Sequence, residues 1–287
     1  MLPGQKRPAS PVQTKLEAEA YAELRDLVLE AGGIDLNLYK DHCLLRRIAV
    51  RQRVRDTPTL RAYLKLVRQD PVERGRLVKA LTIHVSQFFR NPSTFEAIRT
   101  VVLPALQSER PWRADSPLQV WSAGCACGEE PYSLAILVLE ALPDLVRRSS
   151  CIIYGTDIEP DCLRQAREGR YPPANLTHVP ERWKRRYFTT AEGKYQVGSL
   201  PRRLVRFKVH NILEPPPFRQ MDLVVFRNVL IYMTDSLQER ILRGFNDVLG
   251  PGGFLVLGKV EGLTGATQDL FEAVNVAERI YRKRSGG

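Results

Sequence analysis

Hydrophobic and polar positions change their period once along this 287-residue chain. Over residues 16–81 the apolar positions keep helical spacing. Tyr21, Leu24, Leu27 and Val28 share a face, and no alternating or continuous apolar run marks a strand. Gly32 and Gly33 close this first helix. A second helix is expected over 40–56, a third over 59–69 before Asp70-Pro71 stops it, and a fourth over 72–81. From residue 118 onward, apolar runs of strand length alternate with helical stretches. Strands are expected at 118–122, 151–156, 205–209, 222–226 and 253–257, with helices beginning near Pro131, Pro160 and Ser236. Such alternation implies an α/β fold with a mostly parallel sheet covered on both faces. Residues 174–203 do not fit it. They are polar and aromatic, with Gly193 just before Tyr195-Gln196-Val197, and read as an inserted hairpin-like subdomain. The polar, proline-containing start, residues 1–15, is expected to be disordered.

The first strand leads into the most informative loop. Leu118, Val120 and Trp121 are followed by small residues, Ser122-Ala123-Gly124-Cys125-Ala126-Cys127-Gly128, then by Glu129, Glu130 and Pro131 at the start of a helix. Strand, tight loop and helix build small-molecule sites at the carboxyl end of α/β sheets. A pyrophosphate would be repelled by the two glutamates, whereas S-adenosylmethionine, with its sulfonium and ammonium, suits a carboxylate there. The same glutamates also suit the positive end of a helix dipole with no ligand at all. Asp157 ends the second strand, placed either for ribose hydroxyls or to cap the next helix. Asn211, after His210, is placed for an adenine edge or for a turn. Arg227 interrupts the apolar stretch 223–231 and calls for a ligand or an internal carboxylate as partner.

Charge and cysteine content bound the function class. A net charge of +11 favours an acidic partner. No apolar run approaches a membrane-spanning length, and the first ten residues lack the apolar core of a secretory signal. Five cysteines are an odd count that suits a reducing compartment, so a cytoplasmic location without membrane insertion is expected. Cys125 and Cys127 have no second C-x-x-C or clustered histidine, and no metal site is expected.

Taken in order, these segments resemble the CheR-type chemotaxis-receptor glutamate O-methyltransferases. The W-S-A-x-C-x-x-G-E-E-P-Y-S pattern is present at residues 121–133, T-D-I at Thr156-Asp157-Ile158, and N-L-L as Asn211-Ile212-Leu213. The C-R-N-V-x-I-Y-F segment appears at residues 226–233, L-T-x-N-x-T-x-F-F-R at 81–90, and L-x-P-G-G-x-L at 249–255. The resemblance implies a small all-helical N-terminal domain (16–81) for substrate docking and a linker (82–93) contributing to the site. It implies an S-adenosylmethionine-dependent, Rossmann-like methyltransferase domain (94–287) carrying a small β insertion (about 183–207). By position, His84, Ser86 and Arg90 contact the cofactor. Glu129 or Glu130 holds its amino-acid part, Asp157 its ribose, and Asn211 and Ile212 its adenine. Arg227 and Asn228 complete the cofactor set and border the methyl-transfer pocket with Tyr232. Arg90 and Tyr232 are the candidates for orienting the incoming carboxylate. The product is S-adenosylhomocysteine, and the partner is the cytoplasmic domain of a methyl-accepting chemotaxis-type receptor.

Three departures stand out. His84 and Ser86 replace the family's usual Asn and Thr; Val260 replaces a polar residue within Gly258-Lys259-Val260-Glu261; and the stretch 187–207 is short. The last suggests docking that does not depend on a receptor's C-terminal pentapeptide, or a different docking partner. A glutamate side chain, with a pKa of about 4.3, is already a nucleophile at neutral pH and needs no general base; no triad is expected. On a helical wheel for residues 40–55, Leu45, Ile48 and Ala49 share one side, while Arg46, Arg47, Arg51, Arg53 and Arg55 spread over the other as a docking face for an acidic surface. Two other readings exist. A nucleic-acid methyltransferase fits the charge, but Phe226-Arg227-Asn228-Val229 stands where amino-directed base methylases carry D/N-P-P-Y/F. A non-catalytic, cofactor-binding regulatory module is the second.

Overall fold

A computed structural model describes residues 11–82, 86–109, 112, 115–147 and 151–284. The chain divides into two compact units, one formed by the residues up to 83 with Tyr232–Thr234, the other by the residues from 84 to Ile231 with Asp235–Gly287.

The first unit is helical: α1 (Pro11–Gly32), α2 (Asp41–Val54), α3 (Leu60–Gln69) and α4 (Pro71–Leu81). Helix α1 begins at Pro11, inside the stretch expected to be disordered; residues 1–10 lie outside the described residues. Asp70 both ends α3 and starts α4. Its Oδ1 accepts from the amides of Val72 and Glu73, the orphan donors of the new helix, with Pro71 at the first position. The wheel for α2 needs correction. Leu44 and Ile48 are the buried positions and Leu45 is exposed. The inward stripe continues through Arg47, Arg51 and Arg55, because α4 supplies a buried carboxylate, Glu73, to receive them. Arg51 donates to Glu73 Oε1 and Oε2 at 2.6–3.0 Å. Arg55 pairs with Asp70 at 3.3 Å and Glu73 at 3.7 Å. Arg47 donates to the Ala80 carbonyl and lies over the Tyr232 ring, 5.2 Å from its centroid. Of the five arginines expected to dock, Arg46 and Arg53 are exposed.

The second unit is the α/β domain. Its first helices are α5 (Pro92–Ala97), α6 (Leu103–Glu109), α7 (Glu129–Ala141), α8 (Pro143–Arg147) and α9 (Pro160–Glu168), and its strands are β1 (Leu118–Ala123), β2 (Cys151–Asp157), β3 (Arg170–Tyr171), β4 (Phe188–Ala191), β5 (Lys194–Val197), β6 (Val205–Val209), β7 (Met221–Phe226), β8 (Leu249–Leu257), β9 (Phe271–Asn275) and β10 (Ile280–Lys283). The seven-stranded sheet runs β6-β2-β1-β7-β8-β10-β9. The five expected strands pair in parallel, and β10 adds antiparallel to both β8 and β9. The terminal β9–β10 pair carries no expectation from the sequence: three of the five β9 residues are exposed, and only Ile280 and Tyr281 are buried in β10. β7 is buried along its whole length, as a central strand covered on both faces must be. Strand order reverses at β1. From there the chain builds outward through β2 and β6 on one side and through β7 and β8 on the other. The carboxyl ends of β1 and β7 are therefore a topological switch point, where such sheets leave a crevice. A separate antiparallel sheet, β3-β5-β4, occupies residues 170–197; the adjoining strand 205–209 belongs to the large sheet. Among the described residues no helix is long and apolar enough to cross a membrane.

Candidate active site

The loop after β1 is forced into shape by its own backbone. Gly124, Ala126 and Gly128 have φ of 64, 48 and 94°, and Gly128 has no room for a side chain: a Cβ would lie 2.7 Å from that of Ala166. The loop is tied to the end of β2 by Cys125 N donating to Thr156 O (2.9 Å) and Ala126 N donating to Asp157 Oδ2 (2.8 Å). Asp157 Oδ1 accepts from Glu159 N (3.0 Å), the turn that starts α9 (Pro160–Glu168). Asp157 thus organises both loops.

Helix α7 (Glu129–Ala141) begins on the two glutamates, which have different surroundings. Glu130 is internally paired. Ser122 Oγ donates to its Oε1 (2.8 Å) and Arg227 Nη1 to its Oε2 (3.1 Å). The Arg227 side chain is 2% exposed. Its Nη2 also donates to the Arg90 carbonyl (2.7 Å) and to Asn91 Oδ1 (2.8 Å). The partner required by Arg227 is therefore an internal carboxylate, and the arginine clamps β7, α7 and the 90–91 segment together. Glu129, 2% exposed, is less well provided for. Asn175 Nδ2 donates to its Oε1 (2.6 Å) and Ser86 bonds the same carboxylate, but Oε2 is buried with no hydrogen-bond partner among the described residues. Burial pushes the Glu129 carboxyl up to about 7, against the pull of its backbone, Asn175 and Ser86 bonds.

The other expected residues are spread around this pair. Asn211 Oδ1 accepts from Leu213 N (3.0 Å), a local turn, and Ile212 is half-buried beside it. His210 N donates to the Asp157 carbonyl (3.1 Å); burial lowers the imidazole pKa, and Nε2 has no partner among the described residues. Asn228, at φ 63°, is held through its backbone. Glu261 Oε2 accepts from Asn228 N (2.8 Å) and Gly258 N (2.6 Å), which gives the Glu261 of the Gly258-x-x-Glu261 stretch a purpose: it folds the loop after β7. Val260, the departure noted in that stretch, is 75% exposed. The 86–91 segment is fixed by Phe88 N donating to the Asn175 carbonyl (2.9 Å) and Phe89 N to Ser133 Oγ (2.9 Å). Tyr232 groups with the helical unit, where its carbonyl accepts from Lys40 N (2.8 Å). His84 lies outside the described residues.

Sequence reasoning missed Asn91, Asn175 and Tyr171, whose Oη donates to the Cys127 carbonyl (2.7 Å). Asn91 adjoins the recognised 81–90 segment and was within reach. Asn175 comes from the irregular stretch 174–203 and Tyr171 from just before it, where no pattern marked them.

A buried, incompletely partnered carboxylate at the switch point fits a cation-bearing ligand, as the ammonium of S-adenosylmethionine would be. Family models give the chain its context. One described as CheR methyltransferase, SAM binding domain, matches residues 84–280. Another, CheR methyltransferase, all-alpha domain, matches residues 19–82. A putative methyltransferase, Cher3, of Pseudomonas putida is 38% identical over 258 residues, covering 87% of this chain and 91% of that protein. A chemotaxis protein methyltransferase of Listeria innocua is 33% identical over 229 residues, covering 80% and 84%. A 104.1 kDa protein of Rhodobacter capsulatus is 36% identical over 265 residues, 92% of this chain, which spans 28% of that longer protein. The cofactor-domain match takes in Glu129, Asp157 and Arg227 together, and with relatives of this identity along most of its length the chain belongs to the CheR methyltransferase family, with S-adenosylmethionine as its cofactor.

Proposed function

We propose that this protein methylates glutamate side chains on the cytoplasmic domain of a methyl-accepting chemotaxis-type receptor, giving glutamate methyl ester and S-adenosylhomocysteine. The observation that carries the reading is Glu129 Oε2, unpartnered among the described residues and buried at the switch point of a family fold that takes S-adenosylmethionine. When bound, the cofactor supplies a methyl group on a cationic sulfur. Held by Glu129, Asp157 and Asn211, it would present that methyl group to the receptor carboxylate.

Glu129 holds the amino-acid ammonium, with Ser86 beside it. Asp157 receives the ribose hydroxyls, and Asn211 and Ile212 border the adenine. Glu130 acts at one remove. By neutralising Arg227 it fixes the 90–91 segment and the loop after β7, including Asn228. Arg90 steers the incoming carboxylate, together with Tyr232. No residue is needed to remove a proton from a group already ionised. Alignment is the main contribution, and positioning supplies up to roughly 7–11 kcal/mol in favourable cases. The exposed Arg46 and Arg53 of α2 meet an acidic receptor surface, and docking proceeds without a C-terminal pentapeptide.

The test is methyl transfer from S-adenosylmethionine labelled in its methyl group to a receptor cytoplasmic fragment lacking any terminal peptide. Counts released by mild base as methanol support the reading. Base-stable counts, label in nucleic acid, or no transfer despite cofactor binding would exclude it.

A further inference from the structure

The cofactor loop carries a second chemistry that methyl transfer does not use. Cys127 sits in the tight turn after β1, and Cys162 in the first turn of α9. Their sulfur atoms are 3.0 Å apart, the Cys127 thiol donating to the Cys162 sulfur. Cys127 is 9% exposed, whereas Cys162 is partly open to solvent. Cys125, two residues away, is a contrast. It is fully buried, its thiol contacts the Ala126 carbonyl at 3.8 Å, and burial with Asp157, Glu130 and Glu129 nearby holds its pKa far above the usual thiol range. All five cysteines are thiols in this structure.

We propose that Cys127 and Cys162 are a modification site, closing to a reversible disulfide that lowers the protein's affinity for its cofactor. Peroxide is the class of oxidant. The accessible Cys162 sulfur attacks one peroxide oxygen, the O–O bond breaks, and a sulfenic acid and a water result. The Cys127 sulfur then attacks the sulfenic sulfur. The S–S bond forms, the S–O bond breaks, and a second water leaves. Two thiols lose two hydrogens and two electrons, both electrons going to the peroxide. A dithiol reverses the bond by exchange.

The effect on the cofactor follows from how little the loop can yield. A disulfide holds its sulfurs about 2 Å apart, so the pair must close by about 1 Å. Cys127 cannot move alone: its carbonyl accepts from Tyr171 Oη at 2.7 Å, and the adjoining Gly128 already abuts Ala166. The displacement passes into one of two places. It shifts the start of α7, two residues on at Glu129, or it shifts the β2–α9 turn that begins at Asp157. This consequence rests on the cofactor roles proposed above for those two carboxylates; the cross-link itself does not.

The experiment treats the full-length protein with hydrogen peroxide, alkylates it, and measures intact mass, cross-linked peptides and S-adenosylhomocysteine affinity by calorimetry. The expected result is a loss of two hydrogens, a peptide joining Cys127 to Cys162, and an affinity at least about tenfold weaker, since misplacement by 1 Å is costly. Dithiothreitol restores all three. Cys162→Ser and Cys127→Ala each bind normally, form no cross-link under peroxide and keep their affinity. Cysteines that stay reduced, or that pair elsewhere, overturn the modification site. A mapped Cys127–Cys162 bond with unchanged affinity overturns its effect on the cofactor. If the reduced protein binds no S-adenosylhomocysteine, the cofactor reading fails instead, and the peptide map still decides the cross-link.

Discussion

Each unit buries a glutamate, and the two are provided for in opposite ways. In the helical unit, Glu73 is fully enclosed, and both oxygens are partnered: Arg51 reaches both, and Tyr63 Oη donates to Oε1 at 2.8 Å. In the α/β unit, Glu129 is nearly as enclosed, but one oxygen has no partner among the described residues and burial pushes its carboxyl up to about 7. A buried charge that is completely compensated is part of the architecture, since losing the partner is what makes it expensive. A buried carboxylate left incomplete keeps capacity for a ligand. Glu130, adjacent to Glu129, is of the first kind because Arg227 and Ser122 complete it.

The contrast breaks most sharply at Arg51. Arg51→Ala leaves the buried Glu73 with only Tyr63 and the longer Arg55 contact and should cost up to about 3–5 kcal/mol of stability, read as a lower urea midpoint for the helical unit. S-adenosylhomocysteine affinity of the folded protein should not change. Glu129→Gln should do the reverse. It removes a carboxyl whose ionised form burial disfavours, so stability at pH 8 should hold or rise. It should weaken the cofactor by about 1.5–3 kcal/mol, the value of a charge-assisted bond, or roughly ten- to a hundredfold in calorimetry. If Glu129→Gln unfolds the protein while Arg51→Ala abolishes binding, the two glutamates have been assigned the wrong way round.

Asp157→Ala sits between these extremes. It should lose about 1–3 kcal/mol of cofactor binding through unpaired ribose hydroxyls. It should also lose stability, because Ala126 N and Glu159 N lose their acceptor. A stability loss with unchanged affinity would confine Asp157 to the loops. The smallest effect belongs to α2. Replacing Arg46 and Arg53 together with glutamine should slow receptor methylation severalfold at low salt and leave cofactor affinity intact. The difference should shrink as salt rises, since exposed charges are screened within about 10 Å at 0.1 M.

How much was readable beforehand follows the range of each interaction. The four helices and five parallel strands came from local periodicity. So did the loop after β1, where small residues, Glu129 and Pro131 sit within one short segment. What escaped was partnership across the chain. Nothing within α2 announces Glu73, 22 residues beyond Arg51, so Arg51 and Arg55 read as surface charges and the wheel falls one position off, on Leu45 instead of Leu44. Asn175, which completes half of Glu129, comes from the irregular stretch before β4. Arg227 was recognised as needing a partner, but the choice of Glu130 over a ligand depended on the geometry at the switch point.

The most direct measurement is calorimetry of S-adenosylhomocysteine binding between pH 6 and pH 8, on the wild type and on Glu129→Gln. With the free carboxyl near 7, Glu129 is mostly protonated at pH 6 and ionised at pH 8. An ammonium ligand selects the ionised form. Wild-type affinity should therefore rise with pH by up to about tenfold per unit below 7 and level off above it, with a proton released on binding at the acid end. In Glu129→Gln the profile should be flat and weaker throughout. A wild-type affinity that does not change across this range, or a Glu129→Gln variant that binds as tightly as wild type, would contradict the assignment of Glu129 as the carboxylate that holds the cofactor.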